Sequence, residues 1–275
     1  MKRPRLRTIF LVLIGGFALF YLTGVYLVAT DTREAPAFDG PPAGHETIAI
    51  FGATGTAGDG ILEAALADPG VRQIHVVTRR PSPRIEAGVA AGKVVMTQHL
   101  DYLDYSAVIN QLAGVDAVFW ALGTSSLGVD EETYGKIHVD FPAQFVRQWL
   151  EVTDKPRVSF HYISSSDISE NSDTMWVREK IRAEKTIEGL TKGTAITAVF
   201  YRPDYIGPTE AEAHLGQRFL YGVFAPVGVA IKARQIGQAM LEISARRDAT
   251  SHGTRLATSA IKRYSDAWGQ VQGTE

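Results

Sequence analysis

The chain contains no cysteine. That excludes disulfides, thiolate zinc sites and thiol catalysis, but leaves the redox compartment open, because either environment tolerates a cysteine-free protein. It also lacks a strong excess of one charge: 28 basic side chains face 30 acidic ones, for a formal net charge of −2. Lys2, Arg3, Arg5 and Arg7 form a basic flank over residues 1–7, so the remainder is more acidic than the total. An acidic body has no general attraction for nucleic acid, and no basic patch is large enough to supply one. Nucleic acid is therefore not an expected partner. His138 and His161 do not form a metal set with neighbouring acids at ligand spacing, so no metal site is expected and both read as packing histidines. With 275 residues, 45% hydrophobic and 21% charged, the composition is globular and the length ample for one substantial core.

A local deficit is more telling. From Thr8 to Thr30 the sequence has no Asp, Glu, Lys, Arg or His. As a helix the segment spans roughly 34 Å, enough to cross a bilayer. A cleaved signal peptide usually has an apolar region of only about 7–15 residues and ends at a small-x-small site. A retained transmembrane helix over 8–30, with the lipid bilayer as partner, is thus the expectation; a cleaved signal and a buried helix are the alternatives. Residues 31–46 contain three prolines and no apolar period, which reads as a linker.

Beyond it, short β-branched runs alternate with helical stretches. Thr47–Phe51, Ile74–Thr78, Val94–Gln98, Ala117–Ala121, Val158–Ile163 and Ile196–Tyr201 are strand candidates, while Gly58–Leu66, Tyr105–Leu112, Glu132–Val152 and Trp176–Leu190 carry apolar residues three or four apart. This alternation predicts right-handed crossovers and an α/β fold: a Rossmann-type, doubly wound parallel sheet covering 47–275.

The most informative motif follows the first strand: Gly52-Ala-Thr54-Gly55-Thr56-Ala57-Gly58. Glycine removes the β-carbon where the chain turns sharply and where a pyrophosphate must approach the backbone, and the third glycine permits close helix-sheet packing. The N–H groups at the helix start then face phosphate. A nicotinamide dinucleotide is the expected ligand. After the second strand, where an NAD site commonly offers an acid to the adenosine ribose, this chain has Arg79-Arg80. Guanidinium groups pair with the 2′-phosphate of NADP through charge-assisted bonds of roughly 1.5–3 kcal/mol each, so NADP(H) is favoured over NAD(H); a solvated charge pair is the alternative. Asp101-Tyr102, after the third strand, is placed to border the adenine. Ala121-Leu122-Gly123, after the fourth, is placed to line the middle of the cofactor. Either segment also reads as a loop capping the sheet.

Five segments in order, Gly52–Gly58, Thr78–Arg80, Leu122–Ser125, Tyr162–Ser166 and Arg202–Gly207, resemble the atypical short-chain dehydrogenase/reductases, particularly their Tat-interacting-protein-like and NmrA-like NAD(P)-binding branch. The resemblance spans about Thr47 to Arg246. It implies NADP(H) binding and a small substrate lobe over 202–233, and does not extend to the apolar helix. It also implies a catalytic set of a serine, a tyrosine about a dozen residues later, and a lysine four beyond. In such a set serine polarises a carbonyl, tyrosine delivers a proton, and lysine holds the ribose while lowering the tyrosine pKa. Ser164 and Ser165 end the fifth strand and Lys180 lies in the expected helix, but Trp176 stands at the tyrosine position. An indole donates a hydrogen bond yet is no practical general acid near neutral pH, and loss of such an acid costs roughly 10²–10⁴ in rate. Tyr134, Asp167 and Asp173 are conceivable substitutes, although each reads more simply as a solvated loop or helix-start residue. The ribose-binding role of Lys180 does not depend on turnover.

The apolar interior of Arg218–Lys232 is too short to span a bilayer readily. It reads as the lining of a substrate pocket, with an interfacial membrane contact as the second reading. Gln235–Arg246 reads as a helix packed on the sheet through Ile236, Met240, Leu241 and Ile243. Two function classes stand: a membrane-anchored NADP(H)-dependent oxidoreductase, and an NADP(H)-binding sensor, scaffold or assembly factor without turnover, acting through a protein partner not identified by the sequence. The basic flank before the helix favours an exported body, whereas a cytosolic supply of NADP(H) favours the opposite side.

Overall fold

The computed structural model describes residues 6–33, 36, 45–210, 214–246 and 250–273. Most of the expected linker and basic flank lie outside these residues. The chain begins with α1 (Leu6–Ala29), whose segment Phe10–Ala29 is 20 residues of apolar helix with none of it buried. Its length and composition suit a membrane span or a signal sequence.

Seven strands form one sheet: β1 (Thr47–Phe51), β2 (Gln73–Thr78), β3 (Val94–Gln98), β4 (Ala117–Trp120), β5 (Val158–Ile163), β6 (Ile196–Arg202) and β9 (Thr254–Ala257). The order is β3-β2-β1-β4-β5-β6-β9 and every pairing is parallel. Continuous β-branched and aromatic runs such as Ile48-Ala-Ile-Phe51 suit strands covered on both faces, and all four of those residues are fully buried. On one face lie α2 (Thr56–Ala67), α8 (Ala233–Ala245) and α9 (Thr258–Gln272), and on the other α5 (Phe141–Val152) and α6 (Met175–Thr191). The chain winds outward from β1 to β3 and then from β4 to β9, so the direction reverses between β1 and β4. In such sheets the ligand crevice lies beyond the strand ends at this reversal. The register pairs Phe51 with Trp120, which sets Gly52 beside Ala121.

Two expected helices differ. Tyr105–Leu112 is mostly turn, with a 3₁₀ turn only at Ile109–Leu112. Asp101 accepts from the Leu103 N–H at 3.0 Å and Asp104 from the Ser106 N–H at 2.8 Å; such local bonds compete with the helical ladder. Glu132–Val152 is broken into α4 (Glu131–Gly135), a π turn at Lys136–Asp140 and α5. Pro142 has no N–H for the carbonyl of His138, four residues back. The π turn reroutes the Phe141 N–H to the Lys136 carbonyl, and the Tyr162 hydroxyl donates to the stranded His138 carbonyl at 3.1 Å.

Beyond β6, β7 (Tyr205–Gly207) and β8 (Ala230–Lys232) form a small parallel pair flanking α7 (Leu215–Phe224). Helix α3 (Pro83–Ala90), β9 and α9 are absent from the sequence expectations. For α3 the signal was present: Ser82 caps the helix through the Ile85 N–H and Pro83 opens it.

Candidate functional site

The loops leaving β1 and β4 meet at the reversal point. Gly52 turns with φ +81, and a Cβ there would run into the Leu122 backbone. A Cβ on Gly58 would overlap the Gly52 carbonyl. Both glycines therefore let backbone approach backbone, and the start of α2 is held against the strand ends. Above this cradle lies a cleft of about 280 Å³ lined by Gly55, Thr56, Ala57, Ala121, Leu122, Gly123, Thr124, Ser125, His138, Ile163 and Lys180. The cradle fits a dinucleotide: small side chains, free N–H groups at a helix start and no carboxylate in the lining.

His138 and Lys180 give the cleft its character. The π turn carries the His138 imidazole to the backbone of Thr124, 3.2 Å from its N–H. Its approach requires Gly123, where a Cβ would stand 2.7 Å from His138 Cε1. The Tyr134 ring lies 4.1 Å from the imidazole. Burial, with Lys180 adding to it, pushes the His138 pKa down to about 3, so this ring is neutral at ordinary pH, and its Nδ1 is buried without a hydrogen-bond partner. Lys180 is 8% exposed, donates to the Ile163 carbonyl at 3.1 Å, and lies 5.1 Å above the Tyr162 ring. Burial lowers its pKa to about 7, partly countered by Glu184.

Other expected site residues lie apart from this lining. Ser164 is 6% exposed; its hydroxyl neighbours Glu184 without making a well-formed hydrogen bond. Ser165 is half-buried just beyond β5. Trp176 is half-buried on α6, one turn before Lys180 and so on the same face of the helix. Tyr134, read from the sequence as a solvated helix-start residue, is instead 3% exposed, and burial, with Glu179 adding to it, raises its pKa to about 12. Asp167 and Asp173 are exposed. Arg79 and Arg80 are exposed after β2, with no carboxylate partner among the described residues. Thr54 is half-buried in the glycine loop. Asp101 is exposed and spends its side chain on the Leu103 turn, while the Tyr102 ring is buried and stacked on Phe141 at 5.4 Å.

His138 was legible only as a packing histidine. Its role in the cleft follows from Pro142, whose effect on a helix that looked continuous is the signal that could have revealed it. His161 is fully buried, bonded to the Tyr201 hydroxyl and Ser159 Oγ at 2.8 Å each.

A larger cavity of about 730 Å³ lies elsewhere, lined by residues of α2, α7 and the start of α8 together with Arg84 and Thr209. Beside it, buried Asp59 accepts from Arg84 at 2.7 and 3.1 Å and from the Thr209 hydroxyl at 2.6 Å. Its lining includes no residue of the loops that leave β1 and β4 at the reversal point, so size alone does not identify the cofactor cleft.

Fold and cleft together define a Rossmann-type dinucleotide-binding protein. Residues 52–244 match the model of the NAD(P)H-binding family, and the chain belongs to that family. It is 25% identical over 260 residues to leucinostatins biosynthesis cluster protein T of Purpureocillium lilacinum, covering 79% of this chain and 95% of that protein. It is 26% identical over 191 residues to the mitochondrial protein fmp52 of Emericella nidulans, covering 67% and 78%. Among solved structures, a 3-oxoacyl-[acyl-carrier protein] reductase from Brucella melitensis superposes with TM-score 0.63 at 16% identity, covering 79% of this chain and 97% of that one. A structure of such a reductase from the same organism in complex with NAD gives TM-score 0.61 at 18% identity, covering 80% and 97%. At these identities the structures establish the shared fold.

Proposed function

We propose that this chain is a membrane-anchored, NADP(H)-binding protein of the short-chain dehydrogenase/reductase type, in which Trp176 in place of tyrosine leaves carbonyl reduction slow. The observation that carries the reading is the cleft at the strand reversal, where the glycine loop and Lys180 face one another. Gly52, Thr54, Gly55, Thr56, Ala57 and Gly58 would hold the pyrophosphate, Arg79 and Arg80 the 2′-phosphate, and Lys180 the nicotinamide ribose. Ala121, Leu122 and Gly123 would flank the middle of the dinucleotide, and Asp101 and Tyr102 its adenine end. NADPH, when bound, supplies the hydride. Ser164 and Ser165 are the candidates for orienting a carbonyl, and Trp176 can donate a hydrogen bond there but not readily a proton. Helix α1 would anchor the protein in a bilayer.

Single-turnover NADPH oxidation with a reactive aldehyde, using the full chain in detergent, tests the assignment. Trp176→Tyr restores a hydroxyl one helical turn from Lys180 and is expected to raise the rate by about 10²-fold, within the range of an acid–base group. A Trp176→Tyr, Lys180→Met double variant is expected to lose the gain. Fast reduction by the unmodified protein, unchanged in Trp176→Phe, would show that another group delivers the proton. A second reading, an NADP(H)-dependent sensor or scaffold, is favoured by the same tryptophan; it predicts cofactor binding with no turnover in either protein.

A further inference from the structure

Helix α7 is anomalous: it runs for ten residues and buries none of them. Its inner side, Gln217, Tyr221 and Phe224, is only partly covered, with Tyr221 against Gly207 and Phe224 against Tyr205. Its outer side carries Leu215 (86% exposed), Phe219 (70%), Leu220 (41%) and half-buried Val223. Leu215, Phe219 and Val223 are spaced by four, so they form one apolar stripe. Arg218, on this helix, and Lys232, at the end of β8, line the cavity beside it and make no ion pair among the described residues.

The turn following α7 packs directly on α1. A Cβ on Gly24 would stand 2.9 Å from Val227 Cβ, and one on Gly228 would stand 2.8 Å from Val28 Cγ2. Gly24 lies five residues before the end of the apolar segment at Ala29, or about 7.5 Å along a helix. If α1 crosses a bilayer, this contact fixes the height of the C-terminal end of α7: the turn that closes the helix lies within about 10 Å of where α1 leaves the hydrocarbon.

We propose that α7 is an interfacial helix, seated in the headgroup layer of the bilayer that α1 spans, with its Leu215–Phe219–Val223 stripe among the acyl chains and Arg218 and Lys232 on anionic phospholipid headgroups. The inference rests on the membrane-span reading of α1 and adds a second, sideways contact that α1 alone does not require. An amphipathic helix of this kind buries its apolar face about 5–10 Å into the interface, and flanking cations add affinity for anionic lipid. It would also turn the 730 Å³ cavity, whose lining includes Arg218, Tyr221 and Lys232, toward the headgroups.

Because the chain has no cysteine, single-cysteine labelling tests this in the full protein. Phe219→Cys, Leu19→Cys and Val89→Cys, each carrying an environment-sensitive fluorophore, are reconstituted into phosphatidylcholine–phosphatidylglycerol vesicles containing nitroxide-labelled acyl chains. Val89 is an exposed control at the end of α3 nearest the start of β3, the far end of that helix from Arg84, which lines the cavity beside α7. The expected result is quenching at position 219 at least about threefold that at 89, given the depth of an interfacial helix, and a smaller ratio in phosphatidylcholine alone. Quenching at 19 with none above control at 219 would overturn the inference while leaving the anchor intact. Shielding of 219 from aqueous iodide without nitroxide quenching would also overturn it, showing a protein cover instead. An equal ratio in both lipids would remove the anionic-headgroup assignment. Absence of quenching at all three positions, with protein that fails to float with vesicles, would sink the anchor and the inference together.

Discussion

Lys180 and Glu184 stand one turn apart on α6, both nearly sealed from solvent, and the fold treats them in opposite ways. Burial would raise the Glu184 carboxyl, yet its pKa is lowered, because Arg202 grips it at 2.9 and 2.6 Å and Arg255 adds a bond at 2.8 Å. These bonds tie α6 to β6 and β9. Lys180 has no such partner. Its ammonium offers three donors and meets one backbone carbonyl and the face of Tyr162, so burial prevails and its pKa falls to about 7. A saturated charge is spent on holding elements together, whereas a buried charge left with unused donors at the wall of a cleft is available to a ligand. The contrast sets a charge committed to structure beside one left open to a ligand on a single helix.

The largest test of this contrast is on the structural side. Glu184→Gln leaves the Arg202 guanidinium without its counter-charge and Arg255 with Glu188 alone, and the expected loss is about 2–4 kcal/mol, discounted from a fully buried pair because the two arginines are 27% and 32% exposed. Urea unfolding of the full chain in detergent would measure it. NADPH affinity near its unmodified value in the folded variant sharpens the contrast; lost binding with unchanged stability would erase it.

A smaller effect is expected from Lys180. Its folded pKa of about 7 lies below the value of 10.5 for a free lysine, so between these values the unfolded chain holds a proton that the folded chain has shed. Stability from this group therefore rises with pH, by about 2 kcal/mol from pH 7 to 9 at 1.4 kcal/mol per unit. Lys180→Met should remove that rise, seen by comparing unfolding free energies at the two pH values in both proteins. The same rise in both would mean that Lys180 is already paired.

The smallest expected effect concerns charges that are neither buried nor paired. Replacing Arg79 and Arg80 by alanine is expected to narrow the preference for NADPH over NADH by about tenfold, or 1.4 kcal/mol. Calorimetry at one salt concentration reads it directly. Equal affinities for the two cofactors in the unmodified protein would place both arginines with ordinary solvated surface charge.

Much of the architecture was legible because it is written in neighbouring residues. Apolar runs marked β1 to β6, and the glycine loop stood out because a tight strand-to-helix turn needs residues without a β-carbon at fixed short intervals. Failures came where a distant residue overrode a local period. Tyr105 fits a helical spacing, yet its N–H goes to Gln148 and its hydroxyl to the Phe141 carbonyl, at 3.0 and 3.1 Å, while Asp101 and Asp104 cap turns. Strand β9 has only four residues, with Arg255 among them, and no alternation distinguishes it from a loop; it becomes a strand by pairing with β6.

The sequence alone determined the apolar helix, the parallel α/β order and the place of the glycine loop, since each depends on periodicity or on the size of adjacent side chains. Tertiary structure decided which polar groups meet. Proline 142 and the Tyr162 hydroxyl together turn His138 toward Thr124, residues far apart in the chain. Arg202 and Arg255 answer Glu184 and leave Lys180 unanswered. Gly24 and Val227 bring the turn after α7 against α1. Hydrogen bonds and desolvation act over a few ångströms in space, so these outcomes depend on the folded neighbourhood rather than on distance along the chain.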